Sequence, residues 1–307
     1  MHTHLKLQNG CLIPTLGLGT WESPKGEVKA AVESAILEAD YRHIDCAAVY
    51  GNEREVGEAL NTVFKNGISR EELFITSKLW NTNHKPDDVE TACRNTLSDL
   101  QLDYLDLYLV HWGLAFKHGD IPHPVGKDGK AILENVSIQE TWQAMEQLVK
   151  KGLVKSIGVA NFTTMMLVDL CSYATIQPMM NQIELHPYNS QADLVSFCGQ
   201  RNIAVTAYSP LGRQGVANAD GLKLAVDPVI QNIAQKYGKS EAQILLNWAI
   251  NRGTVAIPKS VNSARIKENK AIFDFGLTET EMNQINGLNK NHRFVDPSSF
   301  WGVPYFI

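Results

Sequence analysis

YRHIDCAAVYGNEREVGEAL, residues 41–60, starts as one kind of structure and finishes as another. YRHIDC (41–46) suits a short buried strand. Beyond Gly51, the residues Val56, Ala59, Leu60, Val63 and Phe64 recur at the three- and four-residue spacing of a helix stripe that faces a core. Asp45 and Tyr50 stand at the junction. A carboxylate closing an apolar strand, five residues ahead of a tyrosine where the chain turns, asks for a chemical reason.

The same strand–turn–helix unit recurs along the chain. Strand-like runs occur at TLGLGT (15–20), YRHIDC (41–46), LFITSKL (73–79), DLYLVHW (106–112), SIGVAN (156–161), MMNQIEL (179–185), AVTAYSP (204–210) and TVAIPKS (254–260), eight in all. Amphipathic stretches lie between them, such as EAQILLNWAI before the last run, and breaks such as KKGLVKS and QRNIAV separate the units. Eight units are compatible with a closed (β/α)8 barrel or a doubly wound open sheet. GLGT is not G-x-G-x-x-G and no phosphate-binding Walker loop occurs, so an α/β chain folded as one (β/α)8 TIM-type barrel over residues 1–307 is expected. Three additions exceed the minimal barrel. LKLQ and CLIP flank Asn9-Gly10, a hairpin signal because both positions tolerate positive φ. A long connection rich in glycine, proline and charge (113–136) follows the fourth strand. The tail NKNHRFVDPSSFWGVPYFI (289–307) carries Phe294, Phe300, Trp301, Tyr305 and Phe306, too much apolar surface to stay uncovered. The loop and tail are expected around the mouth of a pocket.

Composition narrows the classes. The 307 residues are 44% hydrophobic and 20% charged, with a net charge of −5 and basic residues scattered rather than striped, so no nucleic-acid partner is expected. Cys11, Cys46, Cys93, Cys171 and Cys198 are odd in number and form no C-x-x-C pair, which argues against a disulfide framework or a zinc site and for a reducing compartment. The start MHTHLKLQNG lacks the apolar core of a signal peptide, and no run is long enough to span a bilayer. A cytoplasmic protein with a small-molecule partner and no membrane association is expected.

In a barrel the strands' C-terminal ends share one rim, where barrel enzymes keep their active sites. Here the apolar runs end in Thr20 and Trp21; in Asp45, then Tyr50; in Lys78 and Trp80; in His111 and Trp112; in Asn161; in Gln182 and Glu184; in Tyr208 and Ser209; and in Lys259 and Ser260. A lone lysine at a strand end is ordinarily solvated, a lone aspartate caps a helix, and a lone histidine or tyrosine packs in a core. Asp45, Tyr50, Lys78 and His111 are different because they come from consecutive strands. A lysine ammonium near a phenol favours the phenolate and lowers the phenol's pKa from its ordinary value of about 10. A carboxylate beside the lysine keeps it charged and in place. Asp45 is thus expected to hold Lys78, Lys78 to make Tyr50 more acidic, and His111 to address the same substrate oxygen, a general acid and an anion hole for a developing alkoxide. No serine or cysteine nucleophile accompanies these residues, and one histidine, one aspartate and one lysine make no metal ligand set, so no metal is expected.

A proton donor for an alkoxide needs a hydride source, which no side chain provides; a nicotinamide cofactor does. Asn161 and Gln182 could hold its carboxamide and Tyr208 could stack on its ring. In IPKSVNSARIKEN (257–269), Lys259, a helix cap at Asn262, and Arg265 one turn later suit a phosphate, and a 2′-phosphate there would select NADPH over NADH.

With these residues in view, the sequence resembles the aldo-keto reductase superfamily, nearest its aldose reductase, xylose reductase and aldose-6-phosphate reductase branch. The likeness runs nearly end to end, through LGLGTW, YRHIDCAAVYGNEREVGEAL, SKLWN, LDLYLVHW, KSIGVANF, NQIELHPY, AYSPLG and IPKSVNSARIKEN. The resemblance implies carbonyl reduction with NADPH, NADH being a weaker alternative. It places catalytic roles on Asp45, Tyr50, Lys78 and His111. It places cofactor contacts at Thr20, Trp21, Asn161, Gln182, Tyr208, Ser209, Leu211, Lys259, Ser260, Arg265, Glu268 and Asn269. His111, where double-bond reductases of the superfamily carry glutamate, implies C=O rather than C=C reduction. Three positions depart from relatives: Ala160 replaces a serine, Glu22 a lysine, and Val295 an asparagine that contacts sugar in xylose reductases. The expected activity is reduction of an aldehyde or aldose, possible sugar phosphates included, in a pocket lined by Val49, Trp21, Trp80, Trp112 and Trp301. The resemblance implies a monomer, with dimers in some relatives. A nicotinamide-binding sensor or structural protein without turnover is the alternative.

Overall fold

The computed structural model describes residues 2–213 and 221–306; residues 1, 214–220 and 307, the last of the tail, lie outside the described residues. Strands β1 (His4–Lys6) and β2 (Leu12–Pro14) form an antiparallel hairpin with Leu5 opposite Ile13. Of the Asn9-Gly10 pair only Gly10 takes positive φ, at 90°.

Eight parallel strands follow: β3 (Leu18–Gly19), β4 (His43–Asp45), β5 (Phe74–Leu79), β6 (Leu107–Val110), β7 (Ile157–Ala160), β8 (Met180–Glu184), β9 (Ala204–Tyr208) and β10 (Val255–Ala256). Each lies inside one of the eight runs read from the sequence, and each pairs with its neighbour in chain order. The ring closes where β3 meets β10. Gly17 N donates to Ala256 O (2.9 Å) and Gly19 N to Pro258 O (3.0 Å), with parallel bridges Leu16–Ala256 and Gly19–Lys259. The seam explains the glycines of GLG: a Cβ on Gly19 would lie 2.9 Å from the Ile257 carbonyl oxygen, and one on Gly17 would lie 2.5 Å from the His43 ring.

The helices are α1 (Val28–Glu33), which runs on as a π-helical turn to Glu38, α2 (Glu53–Lys65), α3 (Pro86–Leu100), α4 (Ile138–Lys150), α5 (Thr164–Tyr173), α6 (Ala192–Gln200), α7 (Pro228–Tyr237), α8 (Glu241–Asn251), α9 (Ser263–Lys270), α10 (Glu279–Asn286) and the short α11 (Ser298–Trp301). In α2 the stripe Val56, Ala59, Leu60 and Val63 is fully buried. The main apolar layer lies between strands and helices, with Ile44, Ile75 and Val159 against Leu60, Trp142 and Trp248 among its members. A second cluster fills one end of the barrel. It joins Leu7 and Ile13 of the hairpin to Phe74, Leu107 and Met180, each the first residue of its strand. The hairpin therefore plugs the strands' N-terminal end and leaves the C-terminal end for the site.

That end is covered from the side by the loop 113–136 and the tail. Trp80, Trp112, Phe116 and Trp301 cluster there, with Val49, Val295, Tyr305 and Phe306 packed against them. Ala131 N donates to Trp301 O (3.3 Å), and the Tyr305 hydroxyl accepts from Gly113 N (2.7 Å). The tail's apolar surface is thus largely covered, although Phe300 stays exposed. The five cysteines are unbonded. Among the described residues, no helix is long and apolar enough to cross a membrane.

Candidate active site

Strand β4 ends at Asp45, and a 3-10 turn, Ala48–Tyr50, follows. Gly51 adopts the left-handed conformation (φ 66°) that lets α2 begin three residues after Tyr50, and Asn52 Nδ2 ties this corner to Thr20 O at 2.9 Å. The neighbouring strand β5 carries Lys78, which is fully buried. Its Nζ donates to Asp45 Oδ1 (2.5 Å), Cys46 O (2.8 Å) and the Tyr50 hydroxyl (3.4 Å). An ammonium has three N–H groups, and here each has an acceptor. Asp45 Oδ2 accepts from Gln182 Nε2 at 2.7 Å, so both carboxylate oxygens are held.

The electrostatics differ in one respect from the sequence-based expectation. Burial presses the Lys78 ammonium toward neutrality, but the charge of Asp45 and the bonds to Asp45 and Tyr50 outweigh it, and its pKa lies above the ordinary lysine value. It stays charged. Tyr50 was expected to become more acidic. Instead burial wins, and its pKa is pushed up to about 12; the charge of Lys78 opposes this, the charge of Asp45 adds to it, and the Lys78 hydrogen bond opposes it again. Lys78 therefore limits the rise rather than producing a fall. One side of Tyr50 faces the open pocket, so the phenol is a protonated, accessible O–H at neutral pH.

His111 follows β6 and reaches the same point. Its ring centroid lies 5.9 Å from that of Tyr50 and 5.1 Å from that of Trp80, both edge-on. Burial, then the nearby Lys78 charge, hold its pKa well below the ordinary histidine value. It is a neutral imidazole with one N–H to give.

These groups open on a cavity of about 940 Å³. Asp45, Tyr50 and His111 line it, while Lys78 lies beneath Tyr50. Trp80, Trp112 and Trp301, with Val49 beside them, supply an apolar and mostly aromatic wall. Trp21, Asn161, Gln182, Tyr208, Ser209 and Leu211 continue the lining. Lys259, Ser260, Arg265, Glu268 and Asn269 complete it where β10 leads into α9, whose cap is the Asn262 side chain accepting from Arg265 N (3.0 Å). Thr20 does not reach the cavity. It is fully buried, and its hydroxyl donates to the Asp45 backbone carbonyl at 2.9 Å; its neighbours Gly19 and Trp21 are exposed to the cavity instead.

The amides are partly committed. Asn161 Nδ2 donates to His111 O (3.0 Å) and Asn161 Oδ1 accepts from the Tyr208 hydroxyl (2.7 Å), while Gln182 spends one N–H on Asp45. What remains for a carboxamide is one N–H of Asn161 and both the oxygen and the second N–H of Gln182. Three features escaped sequence reasoning. His123, between two prolines of the 113–136 loop, lines the cavity with its ring 5.2 Å from Trp80; the Pro-His-Pro run at 122–124 was the only signal. Arg213 pairs with Glu22 at 2.9 Å, joining the loop after β9 to the loop after β3. Glu184, grouped with the rim residues, binds the tail instead.

A further buried acid lies behind β5. Glu53 on α2 accepts from Ser77 Oγ (2.5 Å) and Thr96 Oγ1 (3.1 Å), and burial pushes its pKa up to about 7. A carboxyl whose folded value is raised keeps its proton between about pH 4.5 and 7 while the unfolded chain has lost it, so stability falls as pH rises through that window. Glu53→Gln should remove this loss. In urea unfolding, wild type should weaken against the variant by up to about 3 kcal/mol between pH 5 and 8; parallel curves would contradict the assignment.

The comparisons with known proteins agree with this geometry. Residues 15–290 match the Aldo/keto reductase family model. The chain is 50% identical over 295 residues to aldo-keto reductase family 1 member A1 of mouse (Mus musculus) and of Homo sapiens, covering 95% of this chain and 90% of each relative. Member A1-A of Danio rerio is 50% identical over 303 residues, 97% of this chain and 93% of the relative. Among solved structures, the aldose reductase of Schistosoma japonicum superposes with a TM-score of 0.92 at 43% identity, covering 99% of this chain and 97% of that one. The family match spans every barrel strand and the whole polar cluster at the rim, so the chain belongs to the aldo/keto reductase family, oxidoreductases that reduce carbonyl groups with NAD(P)H.

Proposed function

We propose that this enzyme reduces aldehydes, aldoses among them, to alcohols with NADPH, using Tyr50 as the proton donor. The residues present fit a nicotinamide dinucleotide. Lys259 and Arg265 supply cations at the start of α9 for phosphate, the free valences of Asn161 and Gln182 suit a carboxamide, and the Tyr208 ring offers a flat face. Trp21, Ser209, Leu211, Ser260, Glu268 and Asn269 would complete the cofactor contacts, with Thr20 acting only through the Asp45 backbone. A nicotinamide, when held there, would supply hydride for the carbonyl carbon.

The protein's own part is the proton and the geometry. As negative charge grows on the substrate oxygen, the Tyr50 O–H, neutral at working pH, hands over its proton, because an alkoxide is a far stronger base than a phenolate. Lys78 then faces a phenolate, and the cation fixed by Asp45 stabilises it at short range. Neutral His111 donates its N–H to the same oxygen and fixes the carbonyl's direction. Val49, Trp80, Trp112 and Trp301 would hold the remainder of the substrate and exclude water. The observation that carries this proposal is the unbroken contact from Asp45 through Lys78 to Tyr50, opening beside His111 on one cavity.

Steady-state oxidation of NADPH with glyceraldehyde, xylose, an aldose 6-phosphate and an aromatic aldehyde tests it. Turnover of none of them would leave the binding-only alternative. Replacing both Lys259 and Arg265 with alanine should lower the NADPH-over-NADH preference in kcat/KM by roughly 10- to 100-fold, the worth of a charge-assisted contact or two. An unchanged ratio would remove these residues from the 2′-phosphate. Within the same proposal, residues 1–307 form a single barrel unit, monomeric and cytoplasmic; unbonded cysteines support the compartment.

A further inference from the structure

Glu184 is the last residue of β8 and has no exposed surface. Its carboxylate is not turned to the cavity's chemistry. Oε1 accepts from Phe294 N at 2.7 Å and Oε2 from Val295 N at 3.1 Å, residues more than a hundred positions away at the start of the tail. His186 Nε2 lies 2.9 Å from Oε1, and its ring packs against that of Phe294 with centroids 4.9 Å apart. The Glu184 carbonyl is itself held by Asn189 Nδ2 (3.2 Å) and Gln191 Nε2 (2.6 Å), and Gln191 in turn accepts from Arg293 Nη2 at 3.1 Å. The first residues of the tail are thus tied to one strand end and the loop after it.

Two residues earlier, on the same face of β8, Gln182 holds Asp45. A single strand therefore fixes both the carboxylate beneath Tyr50 and the point where the tail begins. Val295, the second residue bound by Glu184, lines the cavity, and six residues on Trp301 stands edge-on to Trp112 with centroids 4.9 Å apart. Beyond Val295 the tail's contacts with the 113–136 loop are neutral: the carbonyl of Trp301 and the hydroxyl of Tyr305 accept from backbone N–H groups. A buried carboxylate taking two consecutive backbone N–H groups is the strong kind of contact, because the acceptor is charged and the alternative leaves groups buried without partners.

We propose that Glu184 is a positioning residue for substrate selection: by clamping the backbone at Phe294 and Val295 it sets how closely the tail wall stands over the Tyr50–His111 pair. The proposal rests on the substrate lying between that pair and the aromatic wall. A bulky aldehyde leans on the wall; a three-carbon aldehyde reaches Tyr50 and His111 without it. Loosening the clamp should therefore raise KM for the first and spare the second.

The test is Glu184→Gln in the full chain, which keeps the shape but turns one acceptor into a donor facing a backbone N–H. KM for 4-nitrobenzaldehyde should rise roughly tenfold, with kcat held, while KM for glyceraldehyde and the Kd of NADPH stay near wild type. Backbone hydrogen exchange at residues 294 and 295 should accelerate. If the variant does not fold, Phe294→Pro, which deletes one donor from the tail side, is read against Phe294→Leu, which keeps it; the proline alone should show the split. An unchanged ratio of the two KM values, or a parallel loss for both aldehydes and NADPH, would overturn the role of Glu184. Failure of the wild type to turn over glyceraldehyde would instead overturn the assignment of the site.

Discussion

Tyr50→Phe should lower kcat for aldehyde reduction by about 10² to 10⁴-fold while leaving the Kd of NADPH close to wild type. The ring is kept, so packing against His111 and the cavity wall persists, and only the O–H is lost. With it goes the proton that the developing alkoxide must receive. The size of the loss separates two accounts of this residue. Were Lys78 to make Tyr50 acidic enough to ionise near neutral pH, wild-type reduction would fall away as pH rises through neutrality. Burial instead holds the phenol at about 12, so its protonated form is constant from acid to mildly alkaline pH. The reduction rate should therefore show no downward limb from Tyr50 below about pH 9 at saturating substrate, a profile readable in the same assay as the variant. Full activity in Tyr50→Phe would refute the proton-donor role, and an ionisation near pH 7 that vanishes with the hydroxyl would refute the electrostatics.

That contrast also marks where the sequence stopped being informative. Strand positions were legible because most runs are largely apolar ahead of the rim, and the polar residue at the break identifies which end carries chemistry. Their paired lengths were not: TLGLGT yields only Leu18–Gly19 as ladder, since Gly17 and Gly19 serve the close approach at the barrel seam. The contact of Asp45 with Lys78 followed from neighbouring strands. The sign of the Tyr50 shift did not, because it depends on how far burial outweighs a cation 3.4 Å away, and burial is a property of the assembled mouth. Glu184 and the Glu22–Arg213 pair were illegible for a different reason: each partner is a backbone group or a loop cation far along the chain, and no spacing rule reaches that far.

Lys78→Met should destabilise the protein by roughly 3–5 kcal/mol in urea unfolding, besides abolishing efficient turnover. The charge removed is one half of a buried pair, both members with almost no exposed surface. Methionine fills much of the space but leaves Asp45 ionised in the barrel mouth with Gln182 Nε2 as its remaining side-chain donor, and leaves the Cys46 carbonyl without its donor. The loss should not depend on pH near neutrality. The folded lysine's pKa lies above the unfolded value of about 10.4, so its contribution is complete below that pH and is lost only as pH climbs through the higher folded value. Adding Asp45→Asn to Lys78→Met should recover most of the stability, because the uncompensated charge is gone while the contact with Gln182 keeps its acceptor. It should recover none of the activity. A pair that can be neutralised at little cost to folding, yet not at all to turnover, is present for catalysis: the fold merely tolerates a cation and an anion that the phenol requires. Equal stability of Lys78→Met and wild type would mean that the ammonium is not buried against Asp45, and a double variant that turns over aldehydes at the wild-type rate would separate the pair from the chemistry of Tyr50.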